Sequence, residues 1–168
     1  MWLNEVQVPP GERTYTIDGF SLFRDLPQIE FGEGGSMKSM LALYWAGCLA
    51  KQGINVMYAD WELTEEVHKE RLTELFGAGH EPRMRYLECN RPLVHEIDRL
   101  AAEKHEHKIQ FAFFDSIAFA CHGKPEDAVV AQEYLRAAKS LGMPAMGVRV
   151  GVNWSPEPTG SSAVDCFG

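Results

Sequence analysis

The chain has 168 residues, 45% hydrophobic and 24% charged, which gives room for one domain around one sizeable core. Its 16 lysines and arginines against 24 acids leave a net charge of −8, which argues against a protein that wraps DNA over its outer surface. No apolar run approaches the roughly 18 residues of a membrane span, Met1–Glu5 lacks the basic start of a signal peptide, and Cys48, Cys89, Cys121 and Cys166 show no metal-type pairing, so reduced thiols and a cytoplasmic compartment are expected.

Residues 1–26 read as a mixed lead-in, with a turn at Pro9-Pro10-Gly11 and a short strand at Thr14–Ile17 leading to Gly19. From Pro27 the pattern becomes regular. Pro27–Phe31 is a strand that stops at a glycine-rich turn, and Ser39–Gln52, rich in Ala, Leu and Met, is a helix closed by Gly53. Ile54–Ala59 is a buried strand, followed by a helix over Thr64–Phe76 with Thr64 as its cap and Glu65 and Glu66 in its first turn. Met84–Cys89 is a strand, Pro92–Lys104 an amphipathic helix, and Ile109–Phe114 a nearly all-apolar strand ending in Asp115-Ser116. A helix over Pro125–Leu141, stopped by Gly142, and a strand over Pro144–Val150 complete the series. This alternation predicts a single α/β domain over residues 1–168, a mostly parallel sheet with helices on both faces. Ligands of such sheets bind outside the carboxyl ends of the strands, where the polar residues below all fall.

The strongest chemical signal is Gly32-Glu33-Gly34-Gly35-Ser36-Met37-Lys38-Ser39, set between a strand and a helix. A loop of this kind turns backbone N–H groups toward an anion, and the helix dipole adds to them. Lys38 supplies a cation for β- and γ-phosphates and Ser39 a hydroxyl for magnesium. The expected nucleotide-binding residues are Gly32, Glu33, Gly34, Gly35, Ser36, Met37, Lys38, Ser39 and Met40, with ATP and Mg²⁺ as ligands. Met37 stands where the pattern G-x-x-x-x-G-K-[ST] has its second glycine. Asp115, at the end of an apolar strand, is the second metal candidate beside Ser39. Glu62 is the carboxylate expected to act on the attacking water, with Asp60 as its rival. Both acids also suit the start of the following helix. Lys104–Lys108, with two histidines, reads as a charged helix end, His122 as a loop residue and Trp45 as core. Trp61 has an open choice between a nucleotide base and a neighbouring subunit.

These motifs, in this order, resemble the RecA-like P-loop ATPases, and most the branch of RepA-type hexameric helicases and their phage and plasmid relatives. GEGGSMKSMLAL looks like that branch's phosphate loop and helix. VMYADWELTEEVHKERL looks like its second strand, catalytic glutamate and a helix carrying an arginine, here Arg71; IQFAFFDSIAFA looks like its Walker B strand. Gly160-Ser161-Ser162-Ala163 is similar to a turn found after the sensor strand, so the resemblance spans about residues 18 to 163. It implies an ATPase related to DNA replication or recombination motors, with Lys38 and Glu62 catalytic, possible action on single-stranded DNA, and a homo-oligomer, hexameric in the family, completed by a neighbour's arginine. The sensor histidine of the family has no counterpart near Val150-Gly151, for which Arg149 and Asn153 are poor substitutes, and the family's further strands have none within residues 144–168. Binding with weak or absent turnover, in a truncated or degenerate member, is therefore the expectation. Two other readings share the loop: a non-hydrolysing nucleotide-binding or assembly module, and a small-molecule kinase, for which residues 123–142 lack an arginine-rich lid.

Overall fold

The computed structural model describes residues 11–124 and 127–150. It opens with a hairpin, β1 (Thr14–Ile17) paired antiparallel with β2 (Phe20–Phe23). Asp18 and Gly19 turn the chain with φ of 48° and 82°, the left-handed pair that a two-residue hairpin turn requires. The Asp-Gly dipeptide signals this hairpin in the sequence, yet only its first strand was expected. The hairpin buries Ile17 and Leu22 against the core.

The main sheet is made of β3 (Gln28–Gly32), β4 (Val56–Asp60), β5 (Arg85–Glu88), β6 (Phe111–Asp115) and β7 (Ala145–Val150), in the order β3-β7-β6-β4-β5. Every pairing is parallel. Helices α1 (Lys38–Lys51) and α2 (Glu65–Phe76) cover one face, and α3 (Leu93–His107), α4 (Ile117–Ala120) and α5 (Ala128–Ser140) the other. The strand alternation explains the two cores. Val56, Tyr58, Phe111, Phe113, Met146 and Val148 face α1 and α2, whereas Met57, Ala59, Ala112, Phe114 and Ala145 face α3 to α5. Burial on both faces is what makes these strands read as near-continuous apolar runs.

Beyond the second hairpin strand, expectation and structure part at α5, at α4 and at the Thr64 cap. The helix expected over 125–141 is α5 alone, starting at Ala128 because the Asp127 carboxylate caps it by accepting from Val129 N at 2.8 Å; Pro125 lies outside the described residues. The short α4 was not expected, because a single turn has no readable period. Thr64 does precede α2, but its side chain makes no capping bond. Trp45 is core, stacked on Phe20 with ring centroids 4.6 Å apart. No disulfide joins Cys48, Cys89 and Cys121. No helix of the described residues is long and apolar enough to cross a membrane.

At Gly147 side chains of both α4 and α5 press against the sheet. A Cβ there would lie 2.5 Å from the Tyr134 hydroxyl and 2.7 Å from Ile117 Cδ1, and both side chains are buried. Gly147→Ala is therefore expected to destabilise by about 1–3 kcal/mol through overpacking. Urea denaturation measures it as a lower midpoint at unchanged slope; an unchanged midpoint would show that the layer has slack.

Candidate functional site

Because the five strands run parallel, their carboxyl ends share one edge of the domain. Register aligns the ends: Asp60 pairs with Asp115, Asp115 with Val148, and Gly32 with Val150. Parallel partners point to the same face, so Glu30, opposite Val148, joins Asp115 and Asp60 on the α1 side. β4 hands the chain to α2 on one face while the adjacent β6 hands it to α4 on the other. The strands thus diverge above Asp60 and Asp115, the kind of crevice in which open parallel sheets hold ligands.

The turn after β3 folds tightly on itself. Ser36 donates through its amide and its hydroxyl to the Glu33 carbonyl, at 3.3 and 2.8 Å. Lys38, 6% exposed, reaches back so that Nζ donates to the Glu33 carbonyl and to Ser36 Oγ, the latter at 2.9 Å. Its stem passes over Gly32, where a Cβ would meet Ser36 Oγ at 2.9 Å and Lys38 Cδ at 3.2 Å. Gly35 takes φ of 75° and Met37 φ of 59° with ψ of 23°. Met37 therefore keeps the left-handed backbone that a glycine would adopt without strain, at a cost of roughly 1–2 kcal/mol, while its side chain stays out in solvent. No side chain caps α1 and its first turn holds no acid, which leaves its N-terminal amides and dipole uncompensated by the protein's own carboxylates. Ser39 and Met40 follow in that turn, half-buried.

Two strands away from the loop strand, about 10 Å by sheet geometry, Asp115 is 2% exposed. Tyr58 donates its phenol to Asp115 Oδ2 at 2.8 Å, and the same phenol lies 3.3 Å from the Ser39 carbonyl. Among the described residues, Oδ1 of Asp115 has no hydrogen-bond partner. Burial pushes the Asp115 carboxyl above the usual carboxylate range, against the pull of the Tyr58 and Ser39 hydroxyls. Glu30 is pushed up to about 7, mainly by burial, with Lys38 drawing it down and Asp115 driving it up, and its Oε2 is likewise buried without a partner.

Glu62 and Asp60 part company here. Asp60 is fully buried, and its carboxylate accepts from the amides of Glu62 and Leu63 and from His68 Nε2. It is a structural acid of the turn and has no free edge toward the crevice. Glu62 is exposed, and its carboxylate accepts from the Ser116 hydroxyl, which draws it over the end of β6. The Asp115–Ser116 peptide is cis. Trp61 donates its amide to the Asp115 carbonyl and its ring N–H to the Arg91 carbonyl, both at 2.7 Å, and stands edge-on to Phe114; its ring belongs to the protein's own packing.

Arg149 pairs with Phe31 and its guanidinium lies over that ring at 5.5 Å, on the face opposite Glu30, so it does not join the site. Arg71 is half-buried with Nη1 unpartnered, close enough to lower the Tyr58 phenol against the effect of burial. Gly151, Asn153 and Gly160–Ala163 lie outside the described residues. Lys104 donates to the Leu141 and Gly142 carbonyls and His107 pairs with Glu103 at 3.3 Å, which accounts for that charged helix end. Sequence reasoning missed Glu30, Tyr58, Ser116 and His68. A glutamate inside Gln28–Gly32 and a tyrosine inside Val56–Asp60 were the available signals, since polar groups in buried strands need partners.

Compared with known proteins, the chain matches no family model and no curated protein.

Glu30 supplies a pH test. Between its ordinary 4.5 and about 7 the folded chain binds a proton that the unfolded chain has released. Its share of stability therefore falls as pH rises across that window. Glu30→Gln is expected to flatten the decline of the urea midpoint between those two values; an identical slope in both proteins would show that Glu30 is freely solvated.

Proposed function

We propose that this chain is a RecA-like P-loop domain that binds ATP with magnesium and hydrolyses it. The observation that carries the reading is the pairing of two features at one sheet edge. One is a glycine-rich loop with a buried lysine and an uncapped helix end; the other is a buried aspartate with one oxygen unpartnered. An anion site and a cation site side by side suit a magnesium-bound polyphosphate, because magnesium binds through one or two protein oxygens and otherwise through phosphates and water. The residues present fit the pair. Asp115 Oδ1 and the Ser39 hydroxyl would hold the metal, which when bound offsets phosphate charge, and Lys38 with the α1 amides would hold the phosphate oxygens. Met37 adds strain without filling the loop. Glu62 would orient water and take its proton, and Ser116 holds its carboxylate over β6.

A non-hydrolysing nucleotide-binding module is the second reading. It is favoured by the Ser116 bond, which occupies the carboxylate that the water needs. Single-stranded DNA as an activating polymer and a homo-oligomer, hexameric as in the family, rest on the resemblance alone.

Calorimetric titration with Mg·ATP and phosphate-release assays on three variants separate the roles. Lys38→Ala is expected to lose most affinity while keeping the wild-type circular dichroism spectrum. Asp115→Asn should weaken binding in magnesium but not in EDTA. Glu62→Gln should bind like wild type and lose about a hundredfold or more in turnover. Unchanged affinity in Lys38→Ala would remove the phosphate-loop assignment; binding without Glu62-dependent turnover in the parent chain would select the second reading.

A further inference from the structure

Beneath the Glu62 turn lies a buried pair that the proposed chemistry does not itself use. Asp60 ends β4 fully buried, and His68 on α2 is 3% exposed. His68 Nε2 meets Asp60 Oδ2 at 2.5 Å, while Asp60 Oδ1 accepts from the Glu62 and Leu63 amides at 2.5 and 2.7 Å. Both carboxylate oxygens are thus committed, one to the helix and one to the turn. Tyr86 of β5 closes the turn from the other side, donating to the Leu63 carbonyl at 2.7 Å. The Asp60 carbonyl is itself fixed by Cys89 N at 2.7 Å. The imidazole has little freedom to leave, with its ring between Tyr58 and Tyr86 at centroid distances of 5.0 and 5.3 Å.

His68 also carries a cost. Its Nδ1 is buried without a hydrogen-bond partner among the described residues, a state that disfavours the fold. A leucine here would suit the apolar neighbours Leu43 and Leu72, which line the same cavity, but would remove the side-chain donor that Asp60 Oδ2 has in His68. A donor aimed at Asp60 is what this site gains from histidine, and what Asp60 does with its other oxygen is set the path of the chain through Glu62.

We propose that Asp60 and His68 are positioning residues for Glu62: the buried acid–histidine pair anchors the turn over residues 61–63 to α2 and so fixes where the Glu62 carboxylate stands over the end of β6. This rests on the reading of Glu62 as the group that orients water. A displacement of about 1 Å at a reacting group can cost on the order of a hundredfold in rate, so a turn held from three sides has a kinetic consequence that general stability does not explain.

The test compares Asp60→Ala, His68→Leu and His68→Gln with the parent chain, reading kcat for phosphate release, Kd for Mg·ATP, and hydrogen exchange over residues 61–63. Asp60→Ala, which removes the acceptor of the turn amides, and His68→Leu are expected to lower kcat by about a hundredfold, to leave Kd near the parent value, and to speed exchange in the turn. His68→Gln, whose side-chain amide nitrogen reaches the place of the imidazole Nε2, is expected to recover most of kcat. If one of the two disruptive variants does not fold, the other carries the comparison. Wild-type kcat in Asp60→Ala or His68→Leu, or a loss of affinity equal to the loss of kcat, overturns the proposal while the hydrolysis reading stands. A parent chain that releases no phosphate in a Glu62-dependent way overturns both, and Glu62→Gln in the same series tells the two failures apart.

Discussion

The site depends on one unfavourable placement, the Asp115 carboxylate at the end of a strand buried on both faces. An ionisable group in such a position must be paired, protonated or served by a ligand, because desolvating it uncompensated costs more than a domain can spare. Here one oxygen accepts from the Tyr58 phenol and the other has no hydrogen-bond partner among the described residues. The neighbouring strands respond to that placement. β4 brings Tyr58 to it, the turn after β4 brings Glu62 to the adjacent Ser116, and β3 contributes a lysine-bearing loop two strands away. Glu30 sharpens the imbalance, since a second half-buried acid on the same face is driven up by burial and by Asp115 itself. The edge of the sheet therefore gathers two acids whose ionisation burial opposes, with Lys38 as the cation that favours it at Glu30.

The same topology explains why these groups meet at all. They lie far apart in the chain, at Glu30, Lys38, Glu62 and Asp115, and only a parallel sheet brings their strand ends to one side. The two helices leaving β4 and β6 for opposite faces open the crevice. The hairpin and α1 seal one core and α3 to α5 the other, and the buried polar groups Lys38, Asp60, Asp115 and Ser116 gather at the edge between them.

Much of this was legible in the sequence. Val56–Asp60 and Phe111–Asp115 are apolar runs too short for helices, and the loop at Gly32–Ser39 declares itself by its glycines and its Lys-Ser pair. Glu62 over Asp60 could not be decided from spacing, since the two lie two residues apart; burial and the direction of the hydrogen bonds separate them. Met37 could be flagged as an exception, but its left-handed backbone is a three-dimensional fact. The hairpin was overlooked although Asp18-Gly19 announces it, and α4 has too few residues to leave a periodic trace. Partnership across strands, Tyr58 with Asp115 or His68 with Asp60, has no signature along the chain, because those contacts exist only once register is set.

The central claim is that the loop and Asp115 form the two halves of one polyphosphate–magnesium site. A crystal structure of the chain soaked with a non-hydrolysable ATP analogue and magnesium addresses it most directly. The account expects phosphate oxygens within hydrogen-bond distance of Lys38 Nζ and the first amides of α1, with the metal between the Ser39 hydroxyl and Asp115. Nucleotide bound elsewhere on the domain, or density at the loop with Asp115 still holding only Tyr58, would contradict it.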